Sequence, residues 1–106
     1  MRKIINGKRY DTETAEYLGR DETEGIGENN FHYYCEELYR TSKGNYFLYG
    51  EGHGLTRWAT RNADGMRGWG SGIESLSKEE ALSWAQRSNM SAREIEAEFG
   101  DCIEDA

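Results

Sequence analysis

The fold is decided by the stretch Phe31-His32-Tyr33-Tyr34-Cys35-Glu36-Glu37-Leu38-Tyr39-Arg40, followed by Thr41-Ser42-Lys43-Gly44 and then by Asn45-Tyr46-Phe47-Leu48-Tyr49-Gly50. The first and last segments are rich in aromatic residues, which favour β-strands, and the polar segment between them is typical of a turn. Together they predict an antiparallel β-hairpin. Because side chains alternate along a strand, the odd-numbered residues of the first strand face one side and the even-numbered residues face the other.

Two further elements are predicted before this hairpin. Asn6-Gly7 lies between two short extended pieces and is the preferred pair of a type I′ turn, so residues 3–10 should form a small hairpin of their own. Residues 11–19 are predicted to form a short helix, because Asp11 or Thr12 can cap its start and Gly19 can end it. Residues 20–30 are polar and acidic, which indicates a surface loop.

The chain after the central hairpin is first rich in glycine and then helical. Residues 50–72 contain seven glycines, with a third strand predicted at 56–60 and a fourth at 72–76. Ser77-Lys78-Glu79-Glu80 and Ser91-Ala92-Arg93-Glu94 are capping boxes. They predict a helix to about residue 88, with Trp84 buried against the sheet, and a second helix that Gly100 ends. The predicted fold is one α+β domain over residues 1–106, with a short N-terminal hairpin and helix, an antiparallel sheet of three to four strands and two C-terminal helices.

Composition and charge restrict the classes of function. The chain carries a net charge of −7, and residues 11–37 contain nine acidic residues against one basic residue, Arg20. An acidic surface repels nucleic-acid phosphates and attracts basic protein surfaces, so direct nucleic-acid binding is disfavoured. No segment has the apolar length of a signal peptide or of a membrane span. With only Cys35 and Cys102, no disulfide framework is expected, and the predicted location is the cytoplasm.

The candidate catalytic and metal-binding residues form no recognisable motif. The glycine-rich residues 50–54 match neither the dinucleotide nor the phosphate-loop spacing. His32 and Cys35 fall on opposite faces of a strand, which argues against a shared metal ion. Cys35 and His53 would form a nucleophile and base only if the fold brought them together. We therefore predict no catalytic residue, no metal and no cofactor; a small enzyme that uses Cys35 or a histidine is an alternative.

Binding to another macromolecule is the favoured class of function. The acidic residues predicted to contact a basic surface are Glu13, Glu16, Asp21, Glu22, Glu24, Glu28, Glu36 and Glu37. Ordinary solubility is the competing interpretation of these residues. Aromatic residues of the central hairpin, Tyr34 and Tyr49 in particular, are expected to be partly exposed and to anchor such a contact, because tyrosine is frequent at the energetic centres of interfaces.

Three segments resemble a family of small phage and mobile-element proteins. They are Lys3-Ile4-Ile5-Asn6-Gly7-Lys8-Arg9-Tyr10-Asp11-Thr12-Glu13-Thr14-Ala15, the run from Leu38 to Gly52, and Leu76-Ser77-Lys78-Glu79-Glu80-Ala81 with Trp84. These segments are turns, strands and caps, so the resemblance transfers no active-site residue.

The resemblance implies a phage-borne accessory protein. Small acidic proteins of this origin include anti-CRISPR inhibitors, which occupy Cas surfaces that would hold guide or target nucleic acid. The expected function is an inhibitor of this type, and its expected partner is a CRISPR–Cas effector in the host cytoplasm. A self-assembling structural or regulatory phage protein is a further alternative.

Overall fold

The structure is a computed structural model that describes residues 1–106. Its strands are β1 (Arg2–Ile5), β2 (Lys8–Asp11), β3 (Glu16–Glu22), β4 (Tyr34–Arg40), β5 (Tyr46–Gly52), β6 (Thr60–Arg61), β7 (Arg67–Gly68) and β8 (Gly70–Leu76). Its helices are α1 (Lys78–Arg87) and α2 (Ala92–Phe99), followed by a 3₁₀ turn, Gly100–Cys102. The predicted α+β class is confirmed, with its N-terminal hairpin, antiparallel sheet and two C-terminal helices.

The main sheet has four antiparallel strands in the order β3-β4-β5-β8. β4 and β5 are the predicted central hairpin, in which Leu38 lies opposite Leu48. β1 and β2 form the predicted N-terminal hairpin, where Asn6 and Gly7 both have positive φ, as a type I′ turn requires. The predicted fourth strand is β8, which is two residues longer than expected at its start.

A hydrophobic cluster is buried on each face of the sheet. On one face α1 and α2 cover the strands, and the cluster consists of Leu38, Tyr46, Leu48, Ala81, Trp84, Ala85 and Phe99. On the opposite face the β1–β2 hairpin covers one end, and the cluster consists of Tyr10, Tyr39, Phe47 and Ile73. Because aromatic rings fill both clusters, a small chain with few aliphatic residues still buries a core on each face of the sheet.

Both helices begin at the predicted capping boxes. The Ser77 hydroxyl accepts a hydrogen bond from the Glu80 amide at 3.1 Å, and the Glu80 carboxylate accepts one from the Ser77 amide at 2.8 Å. Ser91 and Glu94 repeat this arrangement at 3.2 and 2.8 Å. Trp84 is buried in the helix-side cluster, so the prediction for its side chain is confirmed.

The predicted helix at residues 11–19 is wrong. The Asp11 carboxylate accepts a hydrogen bond from the Glu13 amide, and the Asp11 carbonyl accepts one from Ala15, so the capping chemistry builds a single turn. The chain then becomes β3, which pairs with β4, and the ring of Tyr17 packs edge-on against Tyr39 at 5.8 Å. Pairing with a distant strand therefore overrides the local helix signals.

The ends of the neighbouring predicted elements are also corrected. β3 continues to Glu22, so the first three residues of the predicted loop at 20–30 belong to the sheet. β4 begins at Tyr34, three residues after the predicted start of the strand. The residues in between, 23–33, are the connection that carries the acidic loop.

Four glycines of the glycine-rich segment lie together in the sheet and form a strip that carries no Cβ atoms. Gly50 and Gly52 of β5 lie opposite Gly72 and Gly70 of β8, on the face that α1 covers. The indole of Trp58 lies over this strip, where a Cβ at residue 50 would be 2.0 Å from its Cε2 atom. The predicted third strand at 56–60 is wrong, because residues 53–59 fold across the strip as turns and only Thr60–Arg61 pairs, with β7.

We expect Gly50→Ala to destabilise the protein. The added methyl group would displace Trp58, and overpacking of this kind costs about 1–3 kcal/mol. For a domain of this size the melting temperature should fall by roughly 4–8 °C per kcal/mol. Gly27→Ala is the matched control, because a Cβ there meets no atom within 4 Å. Equal melting temperatures for the two variants would show that the Trp58 loop does not depend on the strip.

Candidate functional site

The predicted acidic residues lie at two opposite ends of the sheet. Glu16 lies opposite Arg40 at one end of the β3–β4 ladder, and Glu22 lies opposite Cys35 at the other. The seven residues of β3 span about 20 Å at the rise of a β-strand. Glu13 and Glu16 are therefore separate from Asp21, Glu22 and the loop that follows them, and the predicted acidic residues do not form one patch.

Several of these carboxylates are paired within the protein. Glu16 forms an ion pair with Arg40, which also binds Glu98. Arg20 forms ion pairs with Glu22 at 3.2 Å and with Glu37 at 3.7 Å, and Glu37 also accepts a hydrogen bond from the Tyr39 hydroxyl at 3.0 Å. The exposed ion pairs among these contacts contribute little to stability, but they reduce the charge available to a partner.

Glu36 does not belong to any exposed acidic surface, because only 7% of it is accessible to solvent. One carboxylate oxygen accepts the indole N–H of Trp84 at 2.9 Å. The other accepts the indole N–H of Trp58 at 2.7 Å and Nε of Arg57 at 3.0 Å. A buried carboxylate is tolerated when its oxygens are satisfied in this way. Sequence reasoning could not identify this role, since both tryptophans are distant in the chain.

The tyrosines predicted as anchors are only half-buried and are engaged within the protein. The Tyr34 hydroxyl donates to Asp21 at 3.1 Å, and the Tyr49 hydroxyl donates to Glu51 at 3.2 Å. Of the other hairpin rings, Tyr46 and Phe47 are buried in the core. The hairpin is therefore mainly a core element, and the exposed aromatic surface lies elsewhere.

That surface is an aromatic cluster at the end of the sheet where β4 begins and β5 ends. Phe31 is 60% exposed and Trp69 is 42% exposed. The ring of His53 lies between them, with centroids 4.8 Å from Phe31 and 6.2 Å from Trp69. Leu55, also exposed, donates its amide hydrogen to the Phe31 carbonyl and so holds the two loops together. The sequence pattern did not reveal this cluster, because the aromatic run that starts at Phe31 predicts a strand and Trp69 falls in the glycine-rich segment without a predicted element.

Tyr33 joins the aromatic cluster to the acidic loop. Its ring stacks on Trp69 with centroids 5.9 Å apart, and its hydroxyl donates to Glu22 at 2.9 Å. Burial, and then the hydrogen bond to Glu22, raise the pKa of Tyr33 to about 12, so the hydroxyl remains a donor. The same bond, followed by Arg20, lowers the pKa of Glu22, whose carboxylate is therefore charged at neutral pH.

We call this region the end surface. It is defined by three acidic and three apolar residues: Glu22, Glu24, Glu28, Phe31, Leu55 and Trp69. Glu24 and Glu28 are exposed, and their carboxylates take part in no ion pair. The end surface thus combines exposed rings with the unpaired carboxylates of Glu24 and Glu28, whereas Glu22 is paired with Arg20 at 3.2 Å.

A cleft of about 800 Å³ lies on the helix side of the same end, between α1 and the loop of residues 53–59. Glu36, Trp58 and Trp84 form part of its wall, and Asp21 and Arg87 also line it. Burial raises the pKa of Asp21, and the hydrogen bond from Tyr34 opposes that shift. The cleft contains both acidic and basic side chains, so its charge selects no single class of ligand.

The candidate nucleophile is poorly suited to catalysis. Cys35 is buried on the sheet face opposite α1, and desolvation raises the pKa of its thiol to about 11. His53 accepts the Gly54 amide on Nδ1 at 2.7 Å and packs against the aromatic cluster. No group of three or more His, Cys, Asp or Glu side chains is placed to hold a metal ion. The geometry therefore provides no pairing of Cys35 with a base.

Comparisons with protein families, curated proteins and solved structures find no match to this chain. Neither helix has the length and apolar character needed to cross a bilayer.

Removal of the buried Glu36 carboxylate should be strongly destabilising. Glu36→Ala would leave the N–H groups of Trp58 and Trp84 without acceptors and Arg57 without its buried partner, and we expect a loss of about 3 kcal/mol. Urea unfolding measures this value. Glu24→Ala, which removes an exposed unpaired carboxylate, is the control and should stay within about 0.5 kcal/mol of the parent.

The two thiols should react at very different rates. Cys102 is exposed, whereas Cys35 is buried with a raised pKa, and only the thiolate is reactive. With a chromogenic disulfide reagent at neutral pH, we expect one thiol to react rapidly and the second only after denaturation. Rapid reaction of Cys35 in the native Cys102→Ser variant would contradict this and would support the enzyme alternative.

Proposed function

We propose that this protein is an inhibitor that docks its end surface on a basic, nucleic-acid-binding surface of another protein. The observation that carries the proposal is that the exposed rings of Phe31 and Trp69 lie at the same end of the sheet as the loop with the unpaired carboxylates of Glu24 and Glu28. Tyr33 joins the two parts through its contacts with Trp69 and with Glu22, which is itself paired with Arg20. Carboxylates attract lysine and arginine side chains, and exposed rings stack on guanidinium groups and exclude water from the contact.

The target class in this proposal comes from the resemblance to phage and mobile-element proteins. We propose an anti-CRISPR type of inhibitor whose partner is a CRISPR–Cas effector. The basic channels of such effectors hold nucleic acid through its phosphates, so an acidic protein that occupies a channel excludes guide or target by competition for the same charges. The direct test is inhibition of target cleavage by a panel of purified, guide-loaded effectors. Absence of inhibition across the panel would reject this target class.

The charge of the end surface should control the rate of association. Glu24→Gln with Glu28→Gln removes two exposed carboxylates that make no ion pair, so the fold should be unaffected. We expect association with the inhibited effector to slow several-fold at low salt, because complementary charge acts mainly on association. The difference should vanish as the Debye length shrinks to about 3 Å at 1 M salt.

The matched control for this charge test is Glu96→Gln with Glu104→Gln. These residues are also exposed and carry the same charge, but they lie in α2 and in the C-terminal tail. Association rates are compared by surface plasmon resonance, with circular dichroism as the folding control. Equal rates for the two double variants would mean that net charge, and not the end surface, guides association.

The aromatic part of the end surface should control the lifetime of the complex. Phe31→Ala removes an exposed ring, and we expect the dissociation rate to rise about tenfold, since truncation of an interface anchor acts mainly on dissociation. Tyr17→Ala is the control, because Tyr17 is a comparably exposed ring near the other end of β3. A larger effect of Tyr17→Ala would move the contact away from the end surface.

Inhibition by docking should be stoichiometric. In a titration of effector activity, the proposal predicts saturation at a fixed, small molar ratio of inhibitor to effector. Complete inactivation of a large excess of effector by trace protein would instead indicate turnover and would favour the enzyme alternative.

A further inference from the structure

A second cleft, of about 450 Å³, lies at the end of the sheet opposite the end surface. Three turns meet there: the turn between β1 and β2, the turn between β2 and β3, and the turn between β4 and β5. No hydrophobic side chain lines this cleft, and none of its lining residues is acidic. Such a lining is unusual on a chain with a net charge of −7.

The cleft carries three positive charges that the protein does not neutralise. Lys8, Arg9 and Lys43 line it, and none of them takes part in an ion pair or a side-chain hydrogen bond. Arg40 and Arg57, by contrast, each bind two carboxylates. Unpaired basic residues grouped in this way produce a local positive potential that attracts anions.

Several of the remaining polar groups of the cleft have a proton that is free to donate to a ligand. The Thr41 hydroxyl accepts the Asn45 amide at 3.1 Å, which leaves its own proton free to donate. The hydroxyls of Thr14 and Ser42 have no partner in the protein, and neither do the backbone N–H groups of Ser42 and Lys43. Charged donors, hydroxyls and free amides together form the chemistry that recognises phosphoryl oxygens.

The nearest acidic side chains in the sequence do not cancel this potential. The Glu16 carboxylate is paired with Arg40. Asp11, two residues after Arg9, and Glu13, which precedes Thr14, do not line the cleft, and the Asp11 carboxylate accepts the Glu13 amide at 2.9 Å. The volume exceeds that of a single phosphate ion and lies within the range of small-ligand sites.

We propose that this cleft binds the phosphate groups of a small polyphosphate anion, of the pyrophosphate or nucleoside-polyphosphate class. A long nucleic acid is a poorer fit, because its affinity depends on many phosphate contacts, and the acidic remainder of the surface repels the neighbouring phosphates. The site is independent of the proposed docking of the end surface.

The test is a titration of isotope-labelled protein with pyrophosphate at constant ionic strength, followed by amide chemical shifts. We expect saturable shifts at Gly7, Ser42, Lys43 and Gly44, with unchanged signals at Gly27. Inorganic phosphate should give the same pattern with weaker affinity. A second titration, with a nucleoside triphosphate, shows whether the base contributes to binding. A nucleoside triphosphate that binds at least as tightly as pyrophosphate supports the proposed class of small polyphosphate anions.

The deciding variant is Lys8→Gln with Lys43→Gln. Loss of two charge-assisted contacts should raise the dissociation constant for pyrophosphate about tenfold. The control, Arg2→Gln with Lys3→Gln, removes the same charge from the N-terminal hairpin outside the cleft. It should change the dissociation constant for pyrophosphate by less than about twofold. Lys43→Gln alone, in an exposed turn, serves if the double variant is unstable, and should weaken binding by an intermediate factor.

Three results would overturn the proposal. Shifts that rise linearly without saturation, or that spread over the surface as far as Arg93, would show general attraction of anions. An equal loss of affinity in the control variant would show the same. Tighter binding of a short single-stranded DNA than of pyrophosphate, at the same amides, would assign the cleft to nucleic acid and not to a small anion.

Discussion

The structure depends on one buried carboxylate. Glu36 accepts hydrogen bonds from Trp84 on α1 and from Trp58 on the glycine-rich loop, and Arg57 completes its shell. One β4 side chain therefore fixes a helix and a long connection against the same face of the sheet. The arrangement requires the Cβ-free strip, since any side chain at Gly50 would occupy the position of the Trp58 ring. The guanidinium of Arg57, 4.7 Å from the centroid of that ring, covers it from outside.

This constraint also sets the form of the end surface. Because residues 53–59 are held against the strip, the chain returns to β8 beside the start of β4, and Trp69 stacks on Tyr33. The Tyr33 carbonyl accepts the His53 amide at 2.9 Å, which joins the two loops a second time. The exposed rings are thus attached to the sheet and do not lie on a free loop, so little conformational freedom would be lost when they contact a partner.

Sequence reasoning succeeded where the signal is local. The capping boxes at Ser77 and Ser91 and the Asn6-Gly7 turn specify their own geometry within four residues, and each is present. Sequence reasoning failed where contacts with residues distant in the chain determine the local structure. The turn at Asp11 carries helix signals that pairing with β4 overrides, and the role of Glu36 depends on tryptophans 22 and 48 positions away. The acidic residues were expected to form a patch because they are close in sequence, but β3 carries them to opposite ends of the sheet.

Antiparallel topology explains why the two candidate sites are separate. Each hairpin turn lies at the opposite end of its strands from the next connection, so the β4–β5 turn with Lys43 and the β3–β4 loop with Glu24 are divided by the length of the sheet. The strands between them are rigid, and sites farther apart than about 7–10 Å with no shared contacts behave additively. One end of the sheet thus carries the unpaired cations Lys8, Arg9 and Lys43, and the other carries the unpaired carboxylates of Glu24 and Glu28 with the exposed rings. A partner bound at the end surface would leave the second cleft open, so the two proposed contacts do not exclude each other.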